Sequence, residues 1–377
     1  MKIGFDAKRA FHNFTGLGNY SRTLIETLAA YYPADELHLF SPKPNDSPRL
    51  KSLLADPSVS SHFPTGFWRK IHPIWRSYGI FDDIKASNVQ IFHGLSNELP
   101  VRLPPKVASV VTIHDLIFER YPQFYPRFDR FVYRQKFRRA CQQADVVVAI
   151  SEQTKRDIVD FYKIKEDKIK VIYQSCDRQF YLKNKPNAPI KKATLISYNL
   201  PENFFLYVGT INERKNLMGI MQALNHLKQA NNPINLVVIG DGGAYLKTVK
   251  AYVLKHHLTA QIYWLPKVNF ADLPAIYAAA KALILPSFFE GFGIPIIESL
   301  WSGTPVITSE NSCFSEAGGD GALYVNPTDY QALSAAISTI NTDATLRNDL
   351  ILRGSNFVQK FHGKQIANDW QALYKSL

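Results

Sequence analysis

The residues best suited to chemistry lie in one segment of the second half of the chain, PSFFEGFGIPIIESLW. Two glutamates in this segment, Glu290 and Glu298, flank the pair formed by Gly293 and Ile294. Pro295 follows, and proline is tolerated in the first turn of a helix because the N–H group that it lacks has no helical partner there. We therefore predict that a helix begins at this point and that the amides of Gly293 and Ile294 point out of its N-terminus.

The amides and the carboxylates of this segment suit different groups of one ligand. Amides at a helix N-terminus bind phosphate oxygens, whereas carboxylates accept hydrogen bonds from sugar hydroxyls. We therefore predict a site for a sugar nucleotide, with Glu298 in the first helical turn. In the alternative interpretation, Glu298 only complements the helix dipole and Glu290 is a solvated loop residue. We expect Phe288, Phe289 and Phe292 to be exposed beside the glutamates, and such apolar neighbours favour the interpretation as a binding site.

Two adjacent cations, Arg214 and Lys215, follow the first predicted strand of the second half. This half has no excess of positive charge, because residues 200–377 contain 13 Lys and Arg against 13 Asp and Glu. Cations are disfavoured at a helix N-terminus, so exposed positions at the start of a helix explain the pair less well. We predict that Arg214 and Lys215 neutralise a diphosphate leaving group.

A glycine-containing loop, TGLG, follows the first predicted strand of the first half. The backbone at Gly16 and Gly18 can approach a diphosphate or a sugar closely. Asn19 and Ser21 are candidate caps for the helix that follows. The loop lacks the third glycine of a nicotinamide-binding fingerprint, because residue 21 is serine.

His114 and Asp115 follow the apolar run Ala108–Ile113, which we predict to be a strand. A histidine and an aspartate at the end of a strand are as often a structural pair as a functional one, and the residues alone leave this open. His93 also ends a predicted strand, and we treat it only as a candidate on the acceptor side.

Short apolar runs alternate with longer helical patterns along the chain, which is typical of βαβ units and parallel sheets. The predicted strands of the first half are Lys2–Phe5, Leu37–Phe40, Ile91–His93, Ala108–Ile113, Val146–Ile150 and Lys170–Ile172. Those of the second half are Phe204–Val208, Asn235–Ile239, Ile262–Leu265, Ala282–Leu285, Pro305–Thr308 and Ala322–Val325.

These series predict an α/β protein with two doubly wound domains, which face each other and bind ligands at the carboxyl ends of their strands. The predicted first domain covers residues 1–185, a linker covers 186–202, and the second domain covers 203–356. Residues 357–377 are predicted to form a helix that packs back on the first domain, with Phe357, Phe361, Ile366, Trp370 and Tyr374 roughly on one side.

Length and charge limit the possible functions. At 377 residues the chain is long enough for two domains. Its net charge of +12 arises in the first half, where residues 1–199 contain 31 Lys and Arg against 19 Asp and Glu. A nucleic-acid-binding protein would explain the charge, but no recognition module is evident and the phosphate motifs lie in the neutral half.

A predicted helix in the first half carries a basic stripe beside an aromatic one. The stripes consist of Arg127, Arg130, Arg134 and Arg138 and of Phe128 and Phe131. Such a face suits an anionic membrane surface, and a solvated basic face above an ordinary core-facing stripe is an equally supported alternative. We expect a cytoplasmic protein with peripheral membrane contact, because no apolar run approaches the ~20 residues that span a bilayer.

Several motifs, in order along nearly the whole chain, resemble the glycosyltransferases of family 4, in particular their bacterial mannosyltransferase-like branch. The motifs of the first half are TGLGNYSRTL, TIHDL, YPQFYPRFDRFVYRQ and ISEQTKRDI. Those of the second half are YVGTINERKNL and the run from Pro286 through SEAGGDGALYVNP. The family signature, two glutamates separated by seven residues, matches Glu290 and Glu298. The family commonly has Glu-Pro-Arg-Lys where this chain has NERK, so the proline is lost and the cations are kept.

The resemblance implies the GT-B architecture of two Rossmann-like domains and transfer of a hexose from a nucleotide sugar with retention of configuration. It implies that His114 contacts the donor sugar, and we expect Asp115 to support it. We predict that His114, Asp115 and Glu290 are catalytic. The predicted donor-binding residues are Gly16, Gly18, Arg214, Lys215, Phe292, Gly293, Ile294 and Glu298.

The branch favours mannose, and hence GDP, in the donor. Alternatives are a UDP-sugar-dependent transferase of the same family and a sugar-nucleotide epimerase or glycan phosphorylase of similar fold. The expected acceptor is the hydroxyl of a glycan or of a lipid-linked sugar. We expect no cofactor, because the nucleotide sugar is a substrate, and no metal, because no Asp-x-Asp motif and no His/Cys cluster with metal-ligand spacing occurs in the sequence.

Overall fold

The computed structural model of the chain describes residues 1–181 and 192–377. They divide into two compact units. Unit 1 consists of Met1–Cys176 together with Phe361–Leu377, and unit 2 consists of the described part of Asp177–Lys360. Each unit is built on one sheet with helices around it.

In the described residues, unit 1 contains a seven-stranded sheet and unit 2 a six-stranded sheet. The strands of unit 1 are β1 (Lys2–Asp6), β2 (Glu36–Phe40), β3 (Val59–His62), β4 (Ile91–Gly94), β5 (Ala108–Ile113), β6 (Val146–Ala149) and β7 (Ile169–Val171). The strands of unit 2 are β8 (Phe205–Val208), β9 (Leu236–Ile239), β10 (Ile262–Leu265), β11 (Leu283–Leu285), β12 (Val306–Ser309) and β13 (Ala322–Val325). All neighbouring strands pair in parallel.

The helices connect and cover the strands. In the first part of the chain they are α1 (Lys8–His12), α2 (Gly16–Tyr31), α3 (Lys51–Leu54), α4 (His72–Trp75), α5 (Ile80–Ala86), α6 (Ile117–Arg120), α7 (Arg127–Gln143) and α8 (Glu152–Tyr162). They continue as α9 (Lys192–Ser197), α10 (Leu217–Gln229), α11 (Ala244–Lys255), α12 (Leu273–Ala279), α13 (Ile294–Trp301), α14 (Phe314–Gly318), α15 (Tyr330–Thr342), α16 (Ala344–Phe357) and α17 (Gly363–Lys375).

Both sheets are doubly wound. In unit 1 the strand order is β3-β2-β1-β4-β5-β6-β7, so the order reverses between β1 and β4. In unit 2 the order is β10-β9-β8-β11-β12-β13, and the reversal lies between β8 and β11. Ligands of open α/β sheets bind beside the carboxyl ends of the strands at such a switch point. The predicted α/β class with two doubly wound parallel sheets is confirmed. Ligand sites are therefore expected at the loops after β1, β4, β8 and β11.

Several central strands are largely apolar runs because helices cover both faces of a parallel sheet. In β5 and β6, Val110, Val111 and Val147 have no exposed surface. The strand β3 was missed by the sequence prediction, because its residues VSSH include only one apolar side chain and lie half-buried or exposed at the edge of the sheet. An edge strand that buries little apolar surface leaves no hydrophobic pattern.

The C-terminal helix α17 packs on unit 1, as predicted. Trp370 and Tyr374 are buried, and the ring centroids of Trp370 and His93 lie 4.6 Å apart. The hydroxyl of Tyr374 lies 2.8 Å from Nδ1 of His93, and Oγ1 of Thr112 lies 2.7 Å from Nε2. His93 is therefore fully enclosed by the core, and its interpretation as an acceptor-side residue is wrong.

The predicted domain boundaries differ from the two units in detail. The predicted boundary at 185 and the first part of the predicted linker lie outside the described residues. Phe180 belongs to unit 2, because its ring packs against the rings of Phe270 and Tyr277. The predicted helix over 357–377 is interrupted, since α16 ends at Phe357 and α17 begins at Gly363.

Replacing Trp370 tests the contribution of α17 to the core of unit 1. Trp370→Ala removes a fully buried indole, and we expect the free energy of unfolding to fall by about 3 to 5 kcal/mol because the cavity refills only partly. Equilibrium urea unfolding measures this loss. Lys364→Ala changes an exposed residue of the same helix and should stay within about 0.5 kcal/mol of wild type. Equal stability of the two variants would contradict the packing described for α17.

Candidate functional site

Asn216 fixes the loop that carries the two predicted cations of unit 2. Its backbone is left-handed, with φ of 54°, a conformation that asparagine tolerates better than most residues. The Oδ1 atom of Asn216 accepts a hydrogen bond from the amide of Gly219 at 3.2 Å and caps α10. Its Nδ2 atom donates to the carbonyls of Pro286 at 3.1 Å and Pro327 at 2.7 Å. The loop after β8 is therefore tied to the loop after β11, across the switch point of unit 2.

Arg214, Lys215 and Glu290 meet at this switch point and form what we call the ion cluster. Nη1 of Arg214 lies 2.9 Å from Oε2 of Glu290, and Nζ of Lys215 lies 2.8 Å from Oε1. The hydroxyl of Ser287 donates to the same Oε1 atom at 3.0 Å. Gly209, just after β8, leaves room for the lysine, since a Cβ at this position would lie 3.3 Å from Nζ. Two cations and one carboxylate give the ion cluster a formal charge of +1.

The charges of the ion cluster set the protonation state of Glu290. Burial alone would raise the pKa of Glu290, but the charges of Arg214 and Lys215 outweigh burial and lower this pKa to about 2. Glu290 is therefore ionised at neutral pH, where it accepts hydrogen bonds and cannot donate a proton. The cations are held in place but remain able to attract an anion, because their charge exceeds that of Glu290.

Helix α13 begins where the sequence predicts. Gly293 is its N-cap residue, with φ of 104°, a left-handed conformation that favours glycine. Ile294 and Pro295 open the first turn, so the amide of Ile294 is one of those that lack a partner within the helix. Glu298 is the fifth residue of α13 and thus lies in the second turn, not in the first as predicted.

Glu298 is buried and held by a neighbouring helix. The hydroxyl of Tyr277, on α12, donates to its Oε2 atom at 2.8 Å. The dipole of a helix acts mainly within the first turn, so a capping interaction explains this glutamate poorly. A buried carboxylate with a defined hydrogen bond is a better candidate for recognising hydroxyl groups.

The expectation that three phenylalanines are exposed around the glutamates is wrong. Phe289 and Phe292 are 4% and 2% exposed, and Phe288 is half-buried. Phe292 can therefore contribute only backbone atoms to a ligand, and its carbonyl accepts a hydrogen bond from Sγ of Cys313 at 3.2 Å.

In unit 1, His114 directly follows β5 and is buried. Its Nε2 atom lies 2.8 Å from the carbonyl oxygen of Leu95, and a carbonyl can only accept, so Nε2 carries the proton. Asn97 holds the backbone of His114 by accepting from its amide at 2.8 Å. The ring of Tyr20 packs edge-on, with centroids 4.7 Å apart. Burial is the main cause that lowers the pKa of His114, and the charge of Arg9 lowers it further. The hydrogen bond to Leu95 opposes this shift, and the resulting pKa is about 4. The imidazole is neutral at physiological pH.

The glycine loop of unit 1 is the start of α2, which begins at Gly16. A Cβ at Gly18 would lie 1.6 Å from the carbonyl oxygen of Asn13, so no other residue fits without a shift of the backbone. The side chain of Asn13 accepts from the amide of Gly18 at 3.2 Å. Space around Gly16 is open, since a Cβ there meets nothing within 4 Å. Gly18 is thus required by packing, and Gly16 lies at an open helix start.

The predicted caps of α2 are wrong. Asn19 and Ser21 lie inside the helix, where Oγ of Ser21 donates to the carbonyl of Leu17 at 2.8 Å. Asp115 accepts from the amide of Ile117 at 3.2 Å, which fixes the turn after β5. Within the described residues, no three His, Cys, Asp or Glu side chains lie close enough together to hold a metal ion.

The structure brings three of the predicted residues into direct contact. In unit 2 the two cations and Glu290 share one cluster, and Glu298 follows on α13. Residues that sequence reasoning missed hold these groups in place, namely Asn216, Ser287 and Tyr277 in unit 2 and Tyr20 and Asn97 in unit 1. The asparagine that directly follows the cations was a usable signal for a left-handed helix start. The tyrosines carry no local signal, because their partners are distant in sequence. Ser287 lies only three residues before Glu290, so its contact is local.

Two family models match the chain. Residues 14–180 match the model for Glycosyltransferase Family 4, and residues 196–357 match the model for Glycosyl transferases group 1. The boundary between the matches falls near the division between the two units.

Curated relatives and solved structures agree with these matches. The chain is 27% identical to O-antigen chain mannosyltransferase B of Escherichia coli, over all of both chains. It is 30% identical to O-antigen chain mannosyltransferase RfbU of Salmonella typhimurium, over 71% of this chain and 70% of the relative. The structure of HepE from Anabaena in complex with UDP and glucose has a TM-score of 0.75 and 17% identity, and all of both chains are covered. This likeness in structure shows the GT-B fold.

Replacing Glu290 tests the ion cluster through the pH dependence of stability. The pKa of Glu290 is lowered from 4.5 to about 2 in the folded protein, so its ion pairs stabilise the fold above pH 4.5 and lose this effect as the pH falls. Linkage gives about 3 kcal/mol for this contribution. Urea unfolding between pH 7 and pH 3 should therefore show a shallower loss of stability for Glu290→Gln than for wild type.

Glu310→Gln is the matched control, because Glu310 is an exposed glutamate of the same unit. It should keep the wild-type dependence on pH. If Glu290→Gln also kept the wild-type dependence of stability on pH, the proposed lowering of the Glu290 pKa by its two cationic neighbours would be wrong.

Proposed function

This chain belongs to the family 4 glycosyltransferases, and we propose that it moves mannose from GDP-mannose to a hydroxyl group of a glycan or lipid-linked acceptor. Two relatives named as O-antigen chain mannosyltransferases support the sugar and the synthesis of a cell-envelope polysaccharide. The observation that carries the proposal is the ion cluster at the switch point of unit 2. It combines excess positive charge with an ionised carboxylate, as a sugar diphosphate requires.

In unit 2, we propose that Arg214 and Lys215 bind the diphosphate of the donor. Phosphate oxygens compete for both cations, and the amides of Gly293 and Ile294 at the start of α13 add further donors. The negative charge that develops on the leaving nucleotide is then stabilised by fixed groups, which is commonly the largest contribution to such catalysis. The proposed reaction needs neither a metal ion nor a cofactor for this step.

The two glutamates of unit 2 are proposed to recognise hydroxyl groups. Glu290 is ionised and accepts hydrogen bonds from the hydroxyls of the sugar, and the backbone of Phe292 adjoins it. Glu298 is proposed to accept from the ribose hydroxyls, with Tyr277 fixing its carboxylate. Neither carboxylate is proposed to donate a proton.

In unit 1, the neutral imidazole of His114 is proposed to contact the donor sugar. Asp115 supports the turn that carries it. The open backbone at Gly16 is proposed to approach the donor, with Gly18 allowing the close packing that sets the start of α2.

We propose that the configuration of the sugar is retained through front-side substitution. The acceptor oxygen forms a bond to the anomeric carbon on the face from which the nucleotide departs, and the bond between that carbon and the diphosphate oxygen breaks. The proton of the acceptor hydroxyl passes to an oxygen of the departing diphosphate. Stabilisation of this leaving group by Arg214 and Lys215 is the main demand on the protein.

A UDP-sugar donor is the second candidate. It is favoured by the structural likeness to HepE, which was solved with UDP and glucose. A sugar-nucleotide epimerase is less well supported, because both family models describe glycosyltransferases.

The nucleotide specificity and the reaction can be tested together. We expect GDP and GDP-mannose to raise the melting temperature more than UDP, ADP or TDP and their sugars, because only a bound ligand shifts unfolding by mass action. Release of GDP should require an added acceptor, which separates a transferase from an epimerase. Stabilisation by UDP alone would support the second candidate, and stabilisation by no nucleotide would contradict both.

Two variants test which residues contact the ribose and the sugar of the donor. Glu298→Gln should chiefly raise the KM for the donor, and His114→Ala should chiefly lower kcat. Glu310→Gln is the exposed control and should leave both constants unchanged. An unchanged donor KM in Glu298→Gln would contradict the proposed ribose contact, and normal turnover in His114→Ala would contradict the sugar contact.

We also propose that α7 contacts an anionic membrane surface, so that a cytoplasmic protein works at the inner face of the cell membrane. Phe128 and Phe131 on this helix are 75% and 59% exposed, and Arg127 and Arg138 on the same helix are exposed as well. Exposed aromatic rings next to cations suit the interface between lipid headgroups and acyl chains. No helix in the described part of the chain is both long and apolar enough to cross a bilayer.

The basic stripe of α7 is narrower than the sequence suggests. Arg134 forms a two-fold hydrogen-bonded ion pair with Glu119, one arm of which, from Nε to Oε1, measures 2.7 Å. Arg130 is half-buried. Of the four arginines of the stripe, Arg127 and Arg138 are exposed and take no part in this ion pair.

Vesicle binding tests the membrane proposal. Phe128→Ser/Phe131→Ser should lower partition onto vesicles of anionic phospholipid by about tenfold or more, because two large apolar side chains no longer enter the interface. Leu352→Ser, an exposed apolar residue of unit 2, is the control and should not change partition. Equal partition of all three proteins in a sedimentation assay would rule out α7 as the contact.

A further inference from the structure

A second polar site lies at the switch point of unit 1. Here a cavity of about 360 Å³, which we call the cationic cavity, opens beside the carboxyl ends of β1, β2 and β4. Its charged and titratable lining includes Lys8, His12, Lys43, His72, Arg76 and Lys136. Glu98 is the acidic residue of the lining. This is the position at which open α/β sheets bind ligands, and none of these residues belongs to the donor contacts proposed above.

The charges around the cationic cavity do not balance. Arg76 is held between two carboxylates, with Nη2 2.5 Å from Oδ2 of Asp6 and Nη1 2.5 Å from Oε2 of Glu98. Lys136 lies farther from Glu98, at 3.6 Å. Four permanent cations, counting Lys8 and Lys43, face two carboxylates, so the formal charge is +2 with neutral histidines.

Lys8 and Lys43 supply the excess charge. In the part of the chain that the structure describes, neither lysine has a carboxylate oxygen within 4.0 Å of Nζ. Partial burial, together with the charges of Arg76 and Arg9, lowers the pKa of Lys8. Desolvation is the largest cause that lowers the pKa of His72, and the charges of Lys43, His12 and Lys8 lower it further. Positive charge is therefore crowded in the cavity, and an anion would relieve the repulsion.

We propose that the cationic cavity binds the phosphate groups of the acceptor, so that the acceptor is a phosphorylated sugar or lipid. The assignment to the acceptor rests on the proposed function, whereas the binding of phosphate at this cavity does not. Lysines bind phosphate as point charges, and an excess of two positive charges matches a diphosphate better than a single carboxylate. A cavity of this volume holds a diphosphate but excludes a nucleic-acid duplex.

A larger neighbouring cavity has room for the rest of such an acceptor. It has a volume of about 780 Å³ and shares Pro42, Lys43 and His72 with the cationic cavity. Phe63 and Pro64 add apolar rings to its wall, and flat apolar side chains suit the faces of sugars or an isoprenoid chain. The shared Lys43 and His72 place the phosphate end at the boundary between the two cavities.

The ring signals of His12 and His72 report on the cationic cavity directly. We expect inorganic pyrophosphate, titrated at pH 7.5, to shift these signals in ¹H–¹⁵N spectra of the histidine side chains, which His12→Asn and His72→Asn assign. Lys8→Gln/Lys43→Gln should weaken the affinity read from these signals by about tenfold or more, because two cations are lost. Lys51→Gln removes an exposed cation of the same unit and should bind as wild type.

Two further probes distinguish the source of the phosphate. Tighter binding of an isoprenoid diphosphate than of pyrophosphate supports a lipid-linked acceptor, and tighter binding of a hexose 1-phosphate supports a phosphorylated glycan. Silent His12 and His72 signals at millimolar pyrophosphate, or equal affinities of the double variant and wild type, would overturn the proposal. If pyrophosphate shifts these signals but no nucleotide stabilises the protein, the proposed function fails and the phosphate site stands.

Discussion

The ion pairs from Glu290 to Arg214 and Lys215 are the interaction on which the site of unit 2 depends. A buried carboxylate is costly without partners, and removal of either cation would leave part of its charge uncompensated. The same pairs join the loop after β8 to the loop after β11, where the order of strands reverses. Asn216 holds the first loop to the second through two carbonyls. The same contacts therefore fix both the positions of the two loops and the charge of the ion cluster.

Unit 1 uses the same topology with a different balance of charge. At its switch point Arg76 is paired with two carboxylates, while Lys8 and Lys43 leave an excess. In unit 2 the two cations share one carboxylate and the remainder of the unit is nearly neutral. Part of the excess positive charge of the first half therefore lies around this one cavity, and another part lies on the surface of α7. A donor site with fixed cations and an acceptor site that attracts phosphate would divide the reaction between the units.

His93 and His114 show how burial separates structure from chemistry in similar positions. Both follow or end parallel strands of unit 1, and burial lowers the pKa of each below the usual value for histidine. His93 is enclosed by Thr112, Trp370 and Tyr374, so it serves the packing of α17. His114 uses one ring nitrogen to bind the Leu95 carbonyl and keeps the other as a hydrogen-bond acceptor. The local sequence of the two residues does not reveal this difference.

Local patterns in the sequence were enough to predict the alternation of strands and helices, the start of α13 near a glycine and a proline, and the two cations after β8. These features depend on neighbouring residues, because periodicity, capping and backbone conformation are local. Tertiary contacts were needed to show that Glu290 forms ion pairs with both cations, that Glu298 bonds to Tyr277, and that Phe289 and Phe292 are buried. Each of these depends on segments distant in the chain, and their distances and burial arise only when parallel strands bring the loops to one edge of the sheet. The edge strand β3 was hidden for a related reason, since it buries too little apolar surface to leave a pattern.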